Sequence, residues 1–203
     1  MDNKAYLDQI AVKGKVKSGP IFTPVLIKAI AAGAVALITM IIVGAVINSS
    51  NSKVTQTYER VYLRITNLSS ETSPFKTYLD RVKDSGLRAY ASALLTSLAT
   101  TNVTLSGISN NIGINPSGIS KTVQNEESAN TADLEASFED AVLTGTIDRT
   151  YAAKVYYQVS MLLTYEAAAR AKTTNQQFAE LLDQSTNDLT ILQEKLKKYN
   201  ESN

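Results

Sequence analysis

The alternation of apolar and polar positions changes character once along the chain. From Ile21 to Ile47 it is almost continuously apolar, and from Ala29 to Ile47 there is no charged side chain. At about 1.5 Å per residue this stretch makes roughly 28 Å of helix, close to the hydrocarbon thickness of a bilayer. A core helix of that length normally shows a polar stripe, and here only Thr39 interrupts the apolar run. The pattern predicts a membrane-spanning helix over residues 21–48. It is too long for the apolar region of a cleaved leader and ends at Ile47, where a cleavage site needs a small residue. An uncleaved signal anchor is the expectation.

Beyond Asn48 the apolar positions recur every three or four residues, the spacing of amphipathic helices. Val54, Tyr58, Val61, Tyr62, Ile65 and Leu68 form the first stripe. Ser73-Pro74 reads as an N-cap with proline at the first helical position, opening a short helix to Val82. Leu87, Ala91, Leu94, Leu98, Leu105 and Ile108 form a second long stripe, with Gly113 as its C-cap. Residues 119–131 are polar and aperiodic, which predicts a long surface loop. Asp133 then opens a short helix carrying Leu134, Phe138, Ala141, Val142 and Leu143, stopped by Gly145. Asp148 is the expected N-cap of a helix striped by Tyr151, Val155, Val159 and Leu162. Thr173 or Thr174 is the expected cap of the last, striped by Phe178, Leu181, Leu182, Leu189, Leu192 and Leu196. No segment alternates as a strand does. The predicted fold is all-α: a tail (residues 1–20), a span (21–48) and an antiparallel helical bundle of four main helices (49–203).

Charge orients this arrangement. Lys4, Lys13, Lys15, Lys17 and Lys28 face only Asp2 and Asp8 in the first 28 residues. Lysines beside the N-terminal end of a span hold that end in the cytoplasm, so the bundle is expected outside the membrane. The bilayer is then one partner, through residues 21–48. The net charge of +1 gives no reason to expect nucleic acid.

Composition narrows the chemistry. The chain has no Cys, His or Trp. Disulfides, thiolate nucleophiles and the usual zinc ligands are therefore excluded, as is imidazole proton transfer. A ferritin-type di-iron site also needs Glu-x-x-His, which cannot occur here. Glu166 stands at stripe spacing behind Val155, Val159 and Leu162, so it is a candidate buried polar group in need of hydrogen-bond partners. Tyr156 and Tyr157 cannot both face one core, which makes them candidate contacts for a partner. No catalytic, cofactor or metal residue is assigned.

Two segments carry a resemblance. Leu87, Arg88, Tyr90, Ala91, Leu94, Leu95 and Asn102, followed by Gly113 and Pro116, are similar to the second helix of a large bacterial family of exported, ferritin-like four-helix domains of unassigned function. Gly145-Thr146-Ile147-Asp148, with Tyr151, resembles that family's Gly-x-Phe-Asp-x-x-Tyr. The resemblance covers roughly Val54 to Leu196 and implies a ferritin-like bundle in the cell envelope. Where the family reads Asp-His, this chain has Ser97-Leu98 and Tyr157-Gln158. Any chemistry those histidines serve in the family is absent here. The functional expectation is a structural, adhesive or protein-interaction role, with an envelope protein or a second copy as partner. The alternatives are a carboxylate-only metal site and a ligand-binding sensor acting through a partner.

Overall fold

The computed structural model describes residues 51–202. The expected tail and span lie outside the described residues, and no helix among those described is long and apolar enough to cross a membrane. The described chain is helical, with no strand. Its long helices are α1 (Asn51–Ser69), α3 (Ser85–Ile108), α4 (Lys121–Thr144), α5 (Ile147–Arg170) and α6 (Gln176–Ser202), with the single-turn α2 (Pro74–Thr77) between the first two. A 3-10 turn, Leu79–Arg81, follows α2, and another, Ser109–Ile112, follows α3.

Helices α1, α3, α6 and α5 pack in a closed ring, each against the next, and α4 lies outside it on α1 and α5. Each ring helix turns its apolar stripe inward. Val61 and Ile65, Leu94 and Leu98, Val155 and Leu162, and Leu182 and Leu189 are all buried in one core. The turn at residues 171–175 makes α5 and α6 antiparallel. Their contacts run from Arg170–Asp183 beside the turn, through Ser160–Gln193, to Ala152–Asn200 at the far ends. Gly113 and Gly145 both adopt the left-handed conformation, φ 76° and 72°, that glycine enters without steric cost.

Four local expectations are corrected. The stretch 119–131 is not a long loop, because α4 begins at Lys121. Its inward face runs Val123, Glu127, Leu134, Phe138 and Ala141, so one of its five members is charged and the periodicity is masked. Val142 and Leu143 face solvent instead of joining that face. Asp148 is not the N-cap of α5, a position held by Thr146. Its carboxylate instead accepts the backbone N–H groups of Lys83 and Asp84, at 2.6 and 3.2 Å, just before α3. Neither Thr173 nor Thr174 caps α6. The Asn175 side chain does, accepting from Phe178 N at 3.0 Å, while Thr173 Oγ1 accepts from Asn175 N. Ser73 does precede α2, but its hydroxyl makes no capping bond. The backbone carbonyl takes the N–H groups of Lys76 and Thr77.

At one end of the bundle Phe75, Phe138 and Tyr151 pack together, with Phe138 and Tyr151 stacked 5.0 Å apart. The buried Tyr151 hydroxyl donates to Phe75 O at 2.7 Å, which ties α2 to α5. Replacing Phe138 by Ala is expected to cost about 3–5 kcal/mol by opening a cavity there. Tyr151→Phe removes one hydrogen bond and is expected to cost about 1–2 kcal/mol. Urea unfolding of the purified chain measures both; equal costs would contradict the packing described.

Candidate functional site

Three features hold the chemistry of the described residues. One is a layer of charged and polar side chains between α1, α4 and α5. Arg64 of α1 is 1% exposed, an unusual position for a guanidinium. It falls on the α1 stripe between Val61 and Ile65. Burial of a cation is tolerated only beside compensating groups, and Arg64 has three. Its Nη1 donates to Gln158 Oε1 of α5. Its Nε lies 3.0 Å from Glu127 Oε2 of α4, out of line with the N–H, so the pairing there is Coulombic. Its guanidinium carbon lies 5.9 Å from the centre of the Tyr165 ring. Nη2 has no hydrogen-bond partner. Burial pushes Glu127 above the usual carboxylate range, against the opposing pull of Arg64 and of the Asn67 side chain.

The layer widens toward solvent. Arg60 grips Glu126 with two hydrogen bonds, at 2.8 and 3.0 Å, the bidentate geometry that suits guanidinium and carboxylate. Glu59, also buried, accepts the backbone N–H of Ser120 at 3.3 Å, just ahead of α4. Thus α4, with its sparse apolar face, is fastened by charge on α1.

Glu166, the second feature, is fully buried, as its stripe position implied. Ser185 Oγ donates to Oε1 at 2.6 Å and Thr186 Oγ1 to Oε2 at 2.9 Å, both from α6. None of the ion pairs among the described residues includes it, and desolvation pushes its carboxyl up to about 7, against the pull of the two hydroxyls.

The third feature is at the surface. Tyr156 and Tyr157 separate as expected: Tyr156 packs half-buried against the core, and Tyr157 is 39% exposed. Tyr157 borders a shallow recess of about 630 Å³ on the α4/α5 seam with Arg149, Thr150, Lys154 and Asp133. Lys154 pairs with Asp133 at 2.8 Å.

Of the positions where the exported family carries Asp-His, Leu98 is buried in the core and Gln158 holds Arg64. Among the described residues no three Asp or Glu side chains converge as a metal site requires. Arg64, Glu127 and Gln158 were missed from sequence. Arg64 had a legible signal, a charge at the centre of an apolar stripe. Glu127 had none, since its helix was not recognised. Against known proteins, no family description, no curated protein and no solved structure matches this chain.

Removing Arg64 alone should leave Glu127 buried without its cation. Arg64→Met is expected to cost about 3–5 kcal/mol, and Arg64→Met with Glu127→Met to recover most of that loss. Urea titration of both variants checks this. Glu166 gives a pH dependence. Its proton is released near 4.5 in the unfolded chain and near 7 in the folded one, so the native state binds the extra proton between those values. The stability linked to it is complete below about 4.5 and declines as pH rises toward 7. Thermal melts at pH 5 and pH 8 are expected to show the wild type losing more stability than Glu166→Gln, which retains a side-chain acceptor without the charge.

Proposed function

We propose that this chain is a membrane-anchored, non-catalytic helical scaffold of the cell envelope, built on a ferritin-like bundle and acting through contact with an envelope protein or a second copy of itself. The observation that carries this reading is the recess on the α4/α5 seam. There an exposed tyrosine stands beside Arg149, which has no ion pair among the described residues, and the Lys154–Asp133 pair. Tyrosine and arginine together are the side chains most often found at the energetic centre of protein interfaces.

Two further observations support it. The buried Arg64 is engaged with Glu127 and Gln158 across helix boundaries. That is the arrangement of groups that fix a packing. The uncharged run from Ala29 to Ile47 has the length of a span, and lysines precede it.

A photo-crosslinking residue at position 157 in the full chain is expected to yield a discrete adduct in envelope fractions. Arg149→Glu is expected to abolish that adduct without lowering the melting temperature. Protease added to intact cells is expected to digest the bundle and spare the tail. An adduct-free chain that copurifies with stoichiometric iron or manganese would overturn the proposal in favour of a carboxylate metal protein.

A further inference from the structure

A separate groove of about 320 Å³ runs along the seam between α3 and α6. That is within the lower part of the range of small-molecule sites, about 300–1,000 Å³. Its walls are rich in hydrogen-bond acceptors. Thr100 and Thr104 line it from α3, and each has donated its hydroxyl proton one turn back, to Thr96 O at 2.9 Å and to Thr100 O at 3.3 Å. Ser185 lines it from α6, with its proton given to Glu166. These three hydroxyls therefore turn lone pairs, not protons, toward the groove. Glu180 and Asp188 add carboxylates. No Lys or Arg lines the groove, and the remaining polar side chains, Ser97, Thr101, Gln177 and Gln184, can each present a donor or an acceptor.

The spacing of the carboxylates decides what kind of cation fits. Glu180 and Asp188 are eight residues apart on α6, about 12 Å along the axis. They do not form a cluster, and one metal ion with oxygen ligands at about 2.0–2.6 Å cannot reach both. Between them the groove is lined by Leu181, an apolar side chain. Glu180 Oε1 accepts from the exposed Gln176 amide at 2.9 Å, a contact that an ammonium group can replace.

We propose that the α3/α6 groove binds an extended aliphatic di- or polyamine, with ammonium groups on Glu180 and Asp188 and the intervening methylenes over Leu181. The hydroxyls of Thr100, Thr104 and Ser185 accept from the amine N–H groups along its length. This site lies on α3 and α6, the partner recess on α4 and α5, and its test does not involve a partner protein. Glu166, beneath Ser185, fixes the direction of that hydroxyl's proton.

Calorimetric titration of the full chain, purified in a non-ionic detergent, tests the assignment with spermidine as the probe and magnesium at matched ionic strength as a second arm. Saturable one-to-one binding of spermidine is expected. Glu180→Gln with Asp188→Asn is expected to weaken it about tenfold or more, and Thr104→Val by a smaller factor. Glu135→Gln, an exposed carboxylate on α4 outside the groove, is expected to leave it unchanged. An absence of saturable heat, an equal loss in the Glu135 variant, or binding of magnesium without spermidine would each overturn the assignment.

Discussion

The described structure depends on one buried cation. A guanidinium removed from water loses several kcal/mol of solvation, and that loss is offset only where carboxylate and amide partners are held in place. Arg64 of α1 has Glu127 of α4 and Gln158 of α5 as those partners. The three helices are thus bound to one relative position. A slide of α4 by one turn would leave a charge buried on each side of the interface, whereas a purely apolar interface tolerates such slippage more readily. The contact contributes register more than net stability. This matters most for α4, whose first half carries only Val123 and Glu127 inward and so has little hydrophobic reason to lie where it does.

The rest of the interior divides accordingly. The ring of α1, α3, α6 and α5 is held by leucine, valine and aromatic stripes, with burial as the dominant favourable term. Two polar intrusions enter that core. Arg64 is matched by an opposite charge, while Glu166 is met by hydroxyls alone. In the first, burial raises Glu127 against the pull of Arg64. The second is a carboxyl whose proton is held to about 7, so its charge changes near neutral pH. Both intrusions join helices that are also neighbours in the ring or braced on it.

The sequence was readable where burial was purely apolar. The stripes of α1, α3, α5 and α6 came through in the right register, because Leu, Val and Phe at three- and four-residue spacing have few alternatives. Glu166 was recognisable for the same reason, as a polar residue in an otherwise apolar series. Reading failed where polar side chains replaced hydrocarbon. The start of α4 looked like a loop because its inward face includes Glu127, whose burial depends on Arg64 more than sixty residues away. Two N-cap expectations, Asp148 and Thr173 or Thr174, failed in a similar manner. Asp148 has the chemistry of an N-cap, but the N–H groups it satisfies belong to Lys83 and Asp84. A cap is a local inference, and a tertiary partner can claim the same carboxylate.

Ser97-Leu98 and Tyr157-Gln158, the two pairs that stand where the resembling family reads Asp-His, differ in the same way. Read onto this fold, each pair has one outward and one inward member. Ser97 lines the α3/α6 groove and Tyr157 the α4/α5 recess, while Leu98 and Gln158 point inward. The inward members are not equivalent. Leu98 is ordinary core hydrocarbon and asks nothing of its neighbours. Gln158 supplies the carbonyl oxygen that Arg64 needs. An imidazole at 158 could accept from Arg64 only through a ring nitrogen left unprotonated, and a protonated ring would set two cations against each other in the interior. The glutamine and the buried arginine therefore belong together: a neutral acceptor at 158 sets no second cation against Arg64 at any pH. A glutamine at that position is then part of the packing, tied to Arg64 and Glu127.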